Sequence, residues 1–128
     1  MAHVLIVDDD DDAVECLSTV LRAEGHDVRT ARSGRDGLLA LRSAPLPDAI
    51  VLDVDMPGLD GPGMAHEMML HAGGEEKIPI LLSSGRPDLA ALAAKMGTPY
   101  ALGKPVVSGT LVALVARAVR EGLAPTSA

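Results

Sequence analysis

The chain has 128 residues, 48% of them apolar, with no Phe or Trp, a single Tyr and a net charge of -7. This is close to the commonest size of one domain, and the apolar share suffices for a core of Leu, Val, Ile, Ala and Met. The acidic balance argues against a nucleic-acid or anionic-membrane surface. A lone cysteine excludes a disulfide framework or cysteine metal site, no apolar run reaches transmembrane length, and no signal-peptide pattern is present, so a cytoplasmic protein is expected.

Val4 to Val7 is an apolar run that ends abruptly in Asp8 to Asp12. It predicts a first strand, then a loop and a helix start, with Asp11 or Asp12 as N-cap. Val14, Leu17, Val20 and Leu21 form a helical stripe stopped by Gly25, and Cys16 is expected there as a small core residue. His3 and His26 are expected to be solvated. Val28 to Ala31 reads as a second strand, and Ser33-Gly34 opens a second helix through Leu38, Leu39 and Leu41 that Pro45 and Pro47 end.

Ala49 to Leu52 is apolar at every position, the pattern of a strand buried on both faces of a parallel sheet. It stops at Asp53, after which Pro57, Gly58 and Gly61 force a loop. A third helix is expected from Gly61 to Ala72, with Met64, Ala65 and Met68 on one side. His66 and His71 are five apart, which is no same-face metal pair. Gly73 to Lys77 reads as a polar loop, and Pro79 to Ser84 as a fourth buried strand. Asp88 to Met96 is a short Ala-rich helix closed by Gly97, and Tyr100 to Leu102 a fifth strand. Lys104-Pro105 follows, then a last helix marked by Leu111, Leu114, Val115 and Ala118. One domain, 1–122, and a polar tail, 123–128, are expected.

Five strands alternating with five helices predict a doubly wound α/β fold with a parallel sheet and right-handed crossovers. The expected strand order is 2-1-3-4-5, the flavodoxin-like order, which brings the carboxyl ends of strands 1, 3, 4 and 5 to one crevice. Those ends carry Asp8 and Asp9, Asp53, Ser84 and Lys104. An acid ending a strand reads either as a loop or helix cap or as a nucleophile or metal ligand. Three carboxylates in one crevice repel each other unless a cation shares the site. An oxygen-only site of this kind suits Mg²⁺, and a lysine and a hydroxyl beside it make a cradle for a phosphoryl group. The chemistry that fits is Mg²⁺-assisted phosphoryl transfer to or from a carboxylate.

Val4-Leu-Ile-Val-Asp-Asp-Asp10, Leu52-Asp-Val-Asp-Met-Pro-Gly-Leu-Asp-Gly61, Ser84 and Lys104-Pro105 stand in the order found in receiver domains of bacterial two-component response regulators. The chain resembles that family over nearly its whole length. The resemblance implies that Asp53 is the phosphoacceptor, that Asp9 binds Mg²⁺ directly and Asp8 through water, and that the Asp55 carbonyl is a further ligand, with Mn²⁺ as a substitute ion. Ser84 and Lys104 would hold the phosphoryl oxygens, and the Lys104–Pro105 bond would be cis. The partner implied is a sensor histidine kinase or histidine phosphotransfer protein. An output protein or a second copy of the chain would meet the face of the fourth helix, fifth strand and fifth helix.

Several positions depart from the family pattern. Ser84-Gly85 stands for the commoner Thr-Ala. The segment from Ser84 to Lys104 is shorter by about two residues, which abbreviates the fourth helix. The aromatic switch position, three residues before the lysine, is Ala101, with Tyr100 one residue off register and so on the opposite face of its strand. Output is therefore expected through displacement of the fourth helix. Asp55 and Arg86, each two residues past a site residue, are expected to pair over the phosphoryl group and control water's access. Two other functions compete. One is a receiver-like interaction module without phosphoryl turnover. The other is a haloacid dehalogenase-like phosphatase, suggested by Asp53-Val-Asp55. That family's motif ends a first strand rather than a third, and Pro57 stands where it has Thr or Val.

Overall fold

The computed structural model describes residues 1–126. A five-stranded parallel sheet in the order β2-β1-β3-β4-β5 is built from β1 (His3–Val7), β2 (Asp27–Ala31), β3 (Ala49–Asp53), β4 (Ile80–Ser84) and β5 (Tyr100–Gly103). Between and after them run α1 (Asp11–Ala23), α2 (Gly34–Ala40), α3 (Gly61–His71), α4 (Leu89–Met96) and α5 (Ser108–Glu121). The chain alternates strand and helix throughout, the flavodoxin-like (βα)5 arrangement its sequence predicts. Of the expected tail, Ser127 and Ala128 lie outside the described residues.

The two faces of the sheet carry separate cores. Leu5, Val7, Ile50, Leu52, Ile80 and Leu82 pack with Met64, Met68, Ala93 and Met96 of α3 and α4. Val4, Ile6, Val51, Leu81, Tyr100 and Leu102 pack with Leu17, Leu21, Leu111 and Val115 of α1 and α5. Successive residues of one strand therefore feed opposite cores, as strand geometry requires. This is why β1 and β3 are apolar at every interior position. Each Leu or Ile fully buried this way contributes about 1.5–3 kcal/mol.

Several local expectations are corrected. Asp10, rather than Asp11 or Asp12, is the N-cap of α1, its carboxylate accepting the Asp12 amide at 3.0 Å. The helix starts one residue early because the acidic run offers a capping side chain at every position. Cys16 is exposed, on the helix face opposite Val14, Leu17 and Leu21. His26 is not simply solvated, since its Nδ1 accepts the Ala2 amide at 3.0 Å. His3 Nε2 likewise accepts Arg29 Nε at 2.8 Å. The expected polar loop at 73–77 contains a 3-10 turn, Glu75–Lys77, in which Glu75 is buried and paired with His71. Burial pushes the Glu75 carboxyl up, but backbone hydrogen bonds and His71 outweigh it and hold it below the ordinary glutamate value.

Candidate functional site

The register of the sheet assembles the site. Val7 of β1 lies opposite Leu52 of β3, so the next residues along each strand, Asp8 and Asp53, stand side by side. Asp53 in turn lies opposite Ser83 of β4, and Ser84 opposite Gly103 of β5, one residue before Lys104. The Lys104 amide donates to the Ser84 carbonyl at 3.0 Å, continuing the ladder past the strand end.

Glycine makes room for the loop after β3. A Cβ on Gly61 would lie 2.3 Å from the Asp53 carbonyl oxygen, so α3 can begin this close to the strand only with glycine there. Asp60 caps α3 through the Gly63 amide at 2.8 Å, and the Gly61 amide donates to the Val54 carbonyl at 3.0 Å. These bonds fix the backbone on which Asp53 is carried.

Asp8 and Asp53 are buried, 2% and 6% exposed, and Asp9 is exposed. One carboxylate oxygen from each of the three falls within 4.8 Å of the others. Lys104 Nζ donates to Asp8 at 3.0 Å and to Asp53 at 3.2 Å. Burial, then the adjacent Asp8 charge, raises the Asp53 carboxyl to about 6, against the opposing pull of Lys104. Burial disfavours the Lys104 ammonium, but its bonds and charge contacts with Asp8 and Asp53 outweigh this and the net shift is upward. One ammonium against three carboxylates leaves negative charge uncompensated in a crevice where two of the carboxylates are buried. Three convergent oxygen donors are the ligand type of a hard divalent cation, and the cluster is capable of holding one.

The remaining predicted residues are placed differently. Ser84 is buried at the end of β4, and its Oγ accepts the Arg86 amide at 3.0 Å rather than bonding to Asp53 or Lys104. Asp55 is exposed, and its carboxylate accepts Arg86 at 3.2 Å, so the expected pair is present. Arg86 also grips Asp88 through two bonds of 2.8 Å, a contact sequence reading missed although the i, i+2 spacing across Pro87 permits it. The Lys104–Pro105 bond is cis. Ala101 is exposed, while Tyr100 is fully buried on the α1 and α5 face, away from α4. The Ser83 hydroxyl is buried without a partner among the described residues, and nothing in the sequence signalled it.

Comparison with known proteins agrees with this geometry. The family model described as response regulator receiver domain matches residues 4–116. Transcriptional regulatory protein AfsQ1 of Streptomyces coelicolor is 36% identical over 95% of this chain and 53% of its own length. Transcriptional regulatory protein PrrA of Mycobacterium tuberculosis is 38% identical over 93% of this chain and 50% of its own. The chain thus spans about half the length of these curated relatives. Among solved structures, the Vibrio cholerae chemotaxis protein CheY4 superposes with a TM-score of 0.82 at 29% identity, covering 91% of this chain and 98% of that one. A response regulator receiver domain protein from Clostridium thermocellum does so with a TM-score of 0.83 at 27% identity, over 94% and 96%. With its strand order, its crevice of three aspartates and its lysine, the chain belongs to the response regulator receiver domain family.

Proposed function

We propose that Asp53 accepts a phosphoryl group from a phosphohistidine on a sensor kinase or phosphotransfer protein, and that the modified domain presents an altered partner surface. The observation that carries this reading is the convergence of Asp8, Asp9, Asp53 and Lys104 at one strand-end crevice. A carboxylate oxygen of Asp53 attacks phosphorus. The Asp53 O–P bond forms as the P–N bond breaks, and the electron pair returns to the imidazole nitrogen. Lys104, already in contact with Asp53, holds an equatorial phosphoryl oxygen, and Ser84 offers its hydroxyl to another. Asp8, Asp9, Asp53 and the Asp55 carbonyl would hold Mg²⁺, or Mn²⁺ in its place, directly or through water. When bound, the ion keeps the carboxylates ionised and offsets the charge that spreads over the phosphoryl oxygens.

The proposed output surface comprises α4, the exposed side of β5 and the adjoining face of α5. Of α4, Leu89, Ala93 and Met96 are buried with Leu92 packed beside them, so its apolar anchorage to the sheet lies along one face of two short turns. No helix among the described residues is long and apolar enough to cross a membrane. The net charge of -7 favours a protein partner over nucleic acid for this domain. Incubation with acetyl phosphate and Mg²⁺ tests the function. A persistent one-to-one acyl phosphate is the expected result. No reaction would leave an interaction module, and rapid multiple turnover would indicate a phosphatase.

A further inference from the structure

Four helices start just past a residue whose side chain is able to cap them, and three of those side chains do so. Asp10 caps α1, Ser33 caps α2 and Asp60 caps α3, each from an extended backbone with ψ of 112°, 163° and -177°. Asp88 stands at the same place before α4 but makes no capping bond, and its ψ is 14°. Its two carboxylate oxygens are instead held by Arg86 Nε and an Arg86 terminal nitrogen, both at 2.8 Å. The other terminal nitrogen of the same guanidinium reaches Asp55, two residues beyond Asp53. The Arg86 amide donates to the Ser84 hydroxyl oxygen at 3.0 Å. One arginine therefore touches both loops that flank the proposed phosphoryl site and engages both oxygens of the carboxylate that stands before α4.

We propose that Arg86 is a phosphoryl-responsive restraint on α4: it holds Asp88 off the helix until a phosphoryl group on Asp53 draws the guanidinium away, and the released Asp88 then caps α4. The inference rests on the reading of Asp53 as phosphoacceptor and supplies the link from that residue to α4. A phosphoryl dianion is a stronger bidentate partner for arginine than an exposed carboxylate. The Arg86–Asp88 bonds are open to exchange, since the two side chains are 45% and 53% exposed, while the third guanidinium nitrogen stays on Asp55. Turning the Ser84 hydroxyl toward a phosphoryl oxygen would also disturb its bond from the Arg86 amide. Pro87 fixes its own φ, which leaves the change to its ψ and to residues 86 and 88. A capping Asp88 adopts extended ψ, and swinging from 14° to that region re-aims the first turn of α4. The signal needs no aromatic ring at position 101.

Hydrogen exchange at the Ala90 and Ala91 amides, the N2 and N3 positions an N-cap serves, tests the proposal. It is measured with and without acetyl phosphate and Mg²⁺, with occupancy read by intact mass on the same samples. In the wild type, phosphorylation should slow exchange there about fivefold. Arg86→Gln should show the slow rate without any phosphodonor. Asp88→Ala should show the fast rate in both states while still accepting the phosphoryl group, and Asp88→Ser, which caps without pairing with Arg86, the slow rate in both. A phosphorylated wild type with unchanged exchange, or a phosphorylation-dependent change that survives in Asp88→Ala, would overturn the relay. Absence of the adduct overturns the reading of Asp53 and the phosphoryl half of the relay. The donor-free comparison of wild type with Arg86→Gln still decides whether Arg86 restrains Asp88, equal rates refuting it.

Discussion

The Tyr100 hydroxyl donates to Glu121 at 2.9 Å, tying the first residue of β5 to the last turn of α5. Arg117 lies 5.3 Å from the ring centre and donates to the same carboxylate oxygen. The single Tyr of a chain without Phe or Trp is thereby a structural pin on the α5 side of the sheet. Tyr100→Phe should destabilise the fold by about 1 kcal/mol through loss of that bond, with phosphoryl uptake unaltered. Urea denaturation alongside phosphorylation kinetics checks this. Unchanged stability with a lost response to phosphorylation would return Tyr100 to a switching role.

Arg86 and Asp55 meet at 3.2 Å from loops on opposite sides of the crevice. Asp55→Ala and Arg86→Ala should each alter the rate of Asp53 dephosphorylation, and the double variant should depart from additivity by about 0.5–1 kcal/mol, the scale of an exposed pair. A double-mutant cycle on the decay of phosphorylated protein measures the coupling. Strictly additive rates would mean that the pair does not act jointly on water's approach.

The Asp53 carboxyl lies at about 6 in the metal-free protein, above its ordinary value of 3.8. The folded state then holds the Asp53 proton more tightly than the unfolded chain. Its contribution to stability is complete below about pH 4 and is lost as pH rises through 6. Asp53→Asn should remove this loss and stabilise the metal-free protein at pH 7.5 by about 1–3 kcal/mol. Denaturation midpoints from pH 4 to 7.5 in chelator should fall for the wild type relative to the variant. Parallel profiles would contradict a raised Asp53 carboxyl in the folded protein.

The same charge imbalance predicts a metal response. Mg²⁺ should raise the melting temperature of the wild type in proportion to the logarithm of its concentration once the site fills. Asp9→Asn should abolish most of that rise. Because Asp9 is exposed, its replacement should leave the metal-free fold unperturbed. Identical titrations for both proteins would place the ion elsewhere.

The fold and the central crevice were legible because both follow from strand patterning. A run apolar at every position and ending in Asp, as in β1 and β3, announces a strand buried on both faces with a polar carboxyl end, whereas β5, which leads to Lys104, buries only alternate residues. Ala101 and Tyr100 could be assigned to opposite faces for the same reason. What escaped the sequence depends on contacts between loops or on competition among similar side chains. Five consecutive aspartates leave the α1 cap ambiguous, and the structure gives it to Asp10, whose carboxylate accepts the Asp12 amide from an extended backbone. Glu75 reads as solvated until the chain, reversing at Ala72 after α3, is seen to bring it into a pair with His71. Arg86 shows its coupling to Asp55, but its grip on Asp88 needs the bend at Pro87, which patterning does not specify.

The most direct test of the central claim is intact-mass analysis of the protein after incubation with acetyl phosphate and Mg²⁺, with Asp53→Asn beside it. The asparagine keeps the side chain's shape but removes the nucleophilic carboxylate that Lys104 contacts. The wild type should carry a single phosphoryl adduct and the variant none. An adduct persisting on Asp53→Asn, or none on folded wild type with Mg²⁺ present, would contradict the assignment of Asp53 as the phosphoacceptor.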